Sequence, residues 1–161
     1  MSDIEIVMVD YRNAAHAAAL VDLLNDYACD PAGGGTPLGA EVMAGLPEAL
    51  AARPQAFSVL AFDGAQPVGL INCIEGFSTF ACRPLVNVHD VTVRESHRGR
   101  RITQQMLARV ETEARRRGAC KLTLEVLQGN RPAIRAYERE GFAGYQLDPA
   151  FGSAIFLQKK L

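Results

Sequence analysis

Three stretches of the 161-residue chain combine residue types that could do chemistry. The first runs Val93-Arg94-Glu95-Ser96-His97-Arg98-Gly99-Arg100-Arg101-Ile102-Thr103-Gln104 and reads as a strand end, a turn and a helix start. A helix N-terminus presents unsatisfied N–H groups and the positive end of its dipole, and both attract an anion. Arg98, Arg100 and Arg101 sit where that dipole disfavours cations. An anion such as pyrophosphate, held on the N–H groups of 99–104, removes the conflict; a solvated basic turn is the plainer alternative. The second stretch runs from Asn130 through Ala133 and Tyr137 to Gly141-Phe142. Asn130 can cap a helix, Ala133 and Tyr137 share one helix face at i and i+4, and Gly141 can end it. A tyrosine so placed is either half-buried packing or a proton donor.

The third stretch is Val86-Asn87-Val88-His89-Asp90-Val91-Thr92-Val93. Side chains of a strand alternate between faces, yet the valines are at even positions before His89 and at odd positions after Asp90. One extra residue at His89-Asp90, a β-bulge, restores a common buried face; a strand buried on both faces is the alternative. A bulge splays neighbouring strands and frees backbone groups inside a sheet, which suits a ligand. His89 and Asp90 are the candidate bases there, imidazole being the side chain that titrates near neutral pH, and Asn87 is a candidate substrate contact. His89 could equally be a hydrogen-bonded strand residue, and Asp90 could satisfy the bulge amides.

These residues need a frame. Strands are expected over 4–9, 57–62, 67–76, 85–93 and 121–127, with closing strands at 145–147 and 154–158. Helices are expected over 14–27, capped by Asn13; over 36–52, opened by Thr36-Pro37; over 102–117, stopped by Gly118; and over 132–139. Asp63-Gly64 marks a hairpin turn. The order β-α-α-β-β-β-α-β-α-β-β implies a mixed α/β sheet, antiparallel in its first half and β-α-β in its second. The length suits one domain, 1–161.

Composition narrows the function. Hydrophobic residues make up 48% and charged residues 22%, which excludes a disordered, collagenous or coiled-coil chain. A net charge of −1 argues against a general nucleic-acid partner. No apolar run is long enough for a membrane span and no signal peptide is evident, so a cytoplasmic location is expected. Cys29, Cys73, Cys82 and Cys120 have irregular spacing, which reads as free thiols and fits no zinc pattern; no metal is expected. There is no Walker loop, and Gly33-x-Gly35 is followed by Leu38 rather than a third glycine, so the dinucleotide-binding fingerprint fails. The basic run Arg115-Arg116-Arg117 suits a helix C-terminus as a solvated end.

The bulged strand, the Arg98-to-Gln104 helix start and the Asn130-x-x-Ala133-x-x-x-Tyr137 motif before Gly141-Phe142 together resemble the GNAT superfamily of N-acetyltransferases. The second motif matches throughout; in the first, Arg101 and Thr103 replace the usual glycine and small residue. The resemblance implies that fold, with splayed central strands, and acetyl-CoA as co-substrate. The backbone of Val91, Thr92 and Val93 would hold the pantetheine arm. Arg98, Gly99, Arg100, Arg101, Ile102, Thr103 and Gln104 would hold pyrophosphate, and Asn130, Ala133 and Tyr137 would complete the cofactor site. Tyr137 would be the general acid, with His89 or Asp90 as base and Asn87 and His89 toward the substrate. The acceptor expected is a primary amine of a small molecule. Alternatives are a protein N-terminus or lysine, a non-catalytic acyl-CoA sensor, or an interaction module without CoA. A homodimer is compatible with the sequence.

Overall fold

The apolar strand segments of residues 4–124 form one sheet. The strands are β1 (Ile4–Met8), β2 (Ala56–Asp63), β3 (Gln66–Ser78), β4 (Arg83–Val93) and β5 (Leu122–Leu124), in the order β1-β2-β3-β4-β5. The first three pairings are antiparallel and β4–β5 is parallel. A computed structural model describes residues 3–161, and it divides into two units, one ending at Leu127 and the other Gln128–Leu161. Gly64, with positive φ, turns the β2–β3 hairpin at the expected Asp63-Gly64.

Helices α1 (Ala14–Cys29) and α2 (Ala40–Ala51) link β1 to β2, and α3 (Ile102–Arg116) is the crossover between the parallel strands. Strand parity separates the two faces. Leu60 and Leu70 bury against Ala19, Leu20 and Leu23 of α1. Ala61 and Gly69, one residue on in each strand, lie beneath Met106 of α3. The sheet is therefore covered on both sides, by α1 and by α3. Asn13 caps α1 as its sequence suggests, accepting from Ala15 N at 2.9 Å and His16 N at 3.2 Å.

Several expectations change. Helix α2 begins at Ala40, with Gly39 as its cap. Thr36 N donates to Ala28 O and Leu38 N to Asn25 Oδ1, so the end of α1 holds the segment expected to open the helix. Strand β5 covers only Leu122–Leu124 because its partner in β4 is bonded to it only over Val86–Val88. The closing strands expected at 145–147 and 154–158 are not formed. Asp148 caps a short 3-10 turn, Pro149–Phe151, and Gly152 then takes positive φ. The apolar side chains Leu147, Ile155, Phe156 and Leu157 are exposed. A unit this short lies below the roughly 40 residues needed to build a core of its own. No helix among the described residues is long and apolar enough to cross a membrane.

The C-terminus of α3 is more than a solvated basic end. Arg117 is mostly buried, bonds Glu113 at 2.8 Å and Glu75 at 2.9 Å, and lies over the Phe57 ring at 4.6 Å. Arg116, itself exposed, adds two bonds to Glu113 at 2.7 and 2.8 Å. The guanidinium of Arg116, then that of Arg117, outweighs desolvation and pulls the Glu113 carboxyl down to about 2. A depressed folded-state pKa adds stability that is present above the unfolded value and lost as pH falls through the folded one. Wild type is therefore expected to lose this contribution between pH 4.5 and about 2. Glu113→Gln should melt lower at pH 7 and lose less on acidification; a variant that falls as steeply as wild type over that window would refute the coupling.

Candidate active site

The parity break in β4 is a real bulge. Asn72 pairs with Asp90 and Cys73 with Val88, leaving His89 as the extra residue. Val86, Val88 and Val93 are buried, on both sides of the break. Hydrogen bonding shows what the bulge does to the backbone. Val86 N donates at 3.1 Å to the O of Lys121, the residue before β5, so even positions below the bulge face β5. Above it, Arg94 N donates to Val68 O of β3 at 2.8 Å. Alternation in an antiparallel pair then turns Thr92 and Asp90 toward β3, and Val91 and Val93 outward. β5 pairs no farther than Val88. The outward backbone edge at Val91 and Val93 thus faces no strand among the described residues.

That edge leads into the start of α3. Gly99 has φ 79° and Arg101 has φ 59°, so two left-handed residues flank Arg100 in the turn. The position where the resemblance places a glycine does need glycine-like φ, and an arginine there costs roughly 1–2 kcal/mol. No side chain caps α3 and its first turn has no acidic residue, so its first N–H groups stay available to an anion.

The arginines are better compensated than their sequence suggests. Arg98 Nε donates to Val93 O at 3.2 Å, joining the turn to the strand edge, and its Nη2 reaches Asp30 at 3.4 Å. Asp30 is held ionised below its ordinary pKa by the Ala32 N–H and then by Arg98. Arg100 pairs with Asp63 at 2.9 Å, and His97 Nε2 lies 3.2 Å from the same carboxylate. Arg101 is exposed and has no ion-pair partner among the described residues.

At the bulge, exposed His89 bonds Asn87 Oδ1 through Nδ1 at 3.1 Å, and Asn87 reaches Thr123 of β5 at 3.2 Å. Asp90 accepts from Asn72 Nδ2 at 3.1 Å. Asn72 in turn accepts from Ser58 at 2.6 Å, and Tyr11 lies 2.8 Å from Ser58. Burial, with the nearby Asp90 and Asp30 carboxylates, raises the Tyr27 phenol, which stays neutral. Sequence reasoning missed Tyr11, Tyr27, Ser58 and Asn72. A polar pair in otherwise buried strands, Ser58 in 56–61 and Asn72 in 68–73, was the available signal.

In the second unit, α4 (Arg131–Arg139) shows why its motif is built as it is. Asn130 Oδ1 accepts from Ala133 N at 3.3 Å. Gly141 has φ 87° and donates to Glu138 O, while Phe142 N donates to Tyr137 O at 3.1 Å. This is a Schellman ending, and its usual apolar contact is here the Tyr137–Phe142 ring pair, 6.0 Å apart and edge-on. The motif thus fixes the Tyr137 ring from both ends of the helix. Among the described residues no three His, Cys, Asp or Glu side chains gather to hold a metal, and all four cysteines are free thiols.

The model of the acetyltransferase (GNAT) family matches residues 20–142. The chain belongs to the GNAT acetyltransferase family. A curated relative is streptothricin acetyltransferase of Streptomyces lavendulae, 38% identical over 86 residues. That match covers 52% of this chain and 46% of the relative, so the chain spans about half of that protein's length. Two solved structures share the fold. AAC(6')-Iy, in complex with the bisubstrate analogue CoA-S-monomethyl-acetylneamine, aligns with TM-score 0.78 at 17% identity, over 99% of this chain and 100% of that one. Ribosomal-protein-alanine N-acetyltransferase from Brucella melitensis biovar Abortus 2308 aligns with TM-score 0.76 at 18% identity, over 98% and 100%. This GNAT chain has the mixed α/β fold that its sequence implies.

The two neighbouring arginines should respond oppositely to substitution. Arg100→Gln removes the Asp63 pair and is expected to destabilise this GNAT domain by about 0.5–1 kcal/mol. Arg101→Gly relieves the left-handed strain and is expected to stabilise it by up to about 1 kcal/mol. Urea melts of both variants test this, and an Arg101→Gly variant as unstable as Arg100→Gln would contradict the strain.

Proposed function

We propose that residues 1–161 form one N-acetyltransferase domain that moves an acetyl group from acetyl-CoA to a primary amine of a small molecule. The observation that carries this reading is the outward edge of Val91 and Val93, tied through Arg98 to the uncapped start of α3. It offers a strand-like row for an amide-bearing arm and then a cluster of N–H groups for a pyrophosphate. The streptothricin acetyltransferase relative supports a small-molecule amine over a protein acceptor.

Bound acetyl-CoA supplies an activated acetyl group. Backbone amides at Val91 and Val93 orient it, with Thr92 between them. The Val91 N–H can also stabilise negative charge that grows on the carbonyl oxygen. The N–H groups of Gly99, Arg100, Arg101, Ile102, Thr103 and Gln104, with the Arg98 side chain, hold the phosphates. Asn130 caps α4 through the Ala133 N–H, and both are assigned to cofactor binding by the family motif. Asn87 and His89 line the substrate side. Asp90 or His89 takes a proton from the acceptor's ammonium, leaving a neutral amine. As the new N–C bond forms and the C–S bond breaks, the electron pair goes to sulfur. Tyr137 gives sulfur its proton, and the proton left on nitrogen passes through Tyr137 or to solvent.

Two measurements test this. Pro at position 99 is held near φ −65° and lacks an N–H, whereas Gly99 sits at φ 79°. Gly99→Pro should therefore weaken acetyl-CoA binding in calorimetry by at least tenfold while the far-UV spectrum changes little; equal affinity would count against the phosphate site. Tyr137→Phe keeps the ring that packs on Phe142 and removes only the hydroxyl. Single-turnover acetylation is expected to slow by about 10²–10⁴-fold with acetyl-CoA affinity preserved. An unchanged single-turnover rate across pH 6 to about 9 would return Tyr137 to a packing role.

A further inference from the structure

A line of polar side chains crosses three strands and ends at the bulge. Ser58, Asn72 and Asp90 lie side by side on β2, β3 and β4, in register. Ser58 and Asn72 are buried polar residues in the middle of an apolar sheet. They share the face of Leu60 and Leu70, which α1 covers. Tyr11, just before α1, closes the far end, 2.8 Å from Ser58 Oγ. Buried polar groups need partners, and apolar side chains of similar size would fill these positions at no hydrogen-bonding cost. The line therefore calls for a reason.

Its direction supplies one. An ionised Asp90 only accepts, so Asn72 turns its Nδ2 to the carboxylate at 3.1 Å and its Oδ1 to Ser58. Ser58 then spends its one hydrogen on that Oδ1, at 2.6 Å. The contact between Tyr11 and Ser58 must consequently have the phenol as donor. Burial raises the Tyr11 phenol above its ordinary pKa, so it keeps that hydrogen at neutral pH. Each bond donates toward Asp90, and bonds aligned this way polarise one another.

We propose that Tyr11, Ser58 and Asn72 are positioning residues, a one-way hydrogen-bond chain that holds the Asp90 carboxylate at the bulge to receive the acceptor's ammonium and take its proton. This rests on the acetyltransfer reading above and goes beyond it, since it selects Asp90 over His89. His89 is exposed, and among the described residues its ring is bonded to Asn87 alone. Among the described residues, Tyr27 of α1 and Cys73 of β3 are titratable groups that feel the Asp90 carboxylate. Burial raises both, so both are neutral; Asp30 is the second carboxylate near Tyr27, and it is paired with Arg98.

The test uses the full chain and two substitutions that differ by one hydroxyl. Ser58→Thr and Ser58→Val add the same bulk to β2, but only the first keeps the donor. Ser58→Val and Tyr11→Phe should lower kcat for streptothricin or sisomicin by about tenfold to a hundredfold, as small misplacements of a reacting group do, with KM for acetyl-CoA within twofold. Ser58→Thr should restore most of kcat. The Asn72 side-chain amide resonance in ¹⁵N NMR, which needs no acceptor, should move in Ser58→Val and Tyr11→Phe and stay near its wild-type position in Ser58→Thr. Equal kcat for Ser58→Val and Ser58→Thr overturns the positioning role, and an amide resonance unmoved in both Ser58→Val and Tyr11→Phe overturns the chain itself. If wild type acetylates neither amine, it is the small-molecule acceptor reading that fails, and the resonance still decides the chain.

Discussion

A strand in the middle of a sheet normally spends both rows of backbone groups on its neighbours. The extra residue at His89 prevents β4 from doing so. Below it, outward amides reach β5; above it, the bend in β4 carries Val91 and Val93 beyond the last β5 pairing at Val88. Other parts of the first unit follow from this. β5 is short because its template moves away, and the buried face is kept continuous by the change of parity at the valines. The same bend gives Asp90 a place beside Asn72 and so at the end of a buried polar line.

The turn into α3 is the second half of the site, and it works under a charge conflict that the protein resolves internally. Arginines at a helix N-terminus oppose the dipole. Asp30 and Asp63 neutralise two of them from other elements, and His97 shares Asp63. Those carboxylates leave the backbone N–H groups unobstructed, because neither caps α3. The turn can thus be rigid before any anion arrives, and a phosphate would meet preset donors, with Arg101 exposed beside them. The left-handed Arg101 marks where the backbone is strained to make that shape.

Much of this was legible in the residues because it is local. A parity break shows in eight consecutive residues, and the Asn130, Gly141 and Phe142 pattern encodes one helix with both its ends. The helix start after Arg98 is legible for the same reason. What the sequence hides is cross-strand. Nothing near Ser58 announces that it will stand opposite Asn72, or that Asn72 will stand opposite Asp90, since register is set by distant pairing. Thr36-Pro37 fails as a helix start for a similar reason: Ala28 and Asn25 of α1 bind that segment first. At 145–147 and 154–158, short apolar stretches suggest strands, but apolar composition states only a preference, and a strand forms only with a bonded neighbour.

Amide hydrogen exchange at the bulge addresses the open backbone edge itself. In the free protein the Val91 and Val93 amides are expected to exchange quickly and the Thr92 amide, bonded to β3, slowly. Saturating acetyl-CoA should slow Val91 and Val93 strongly and leave Thr92 as it was. If Val91 and Val93 are already as slow as Thr92 without ligand, or stay fast at saturation, the edge is not where the cofactor is held.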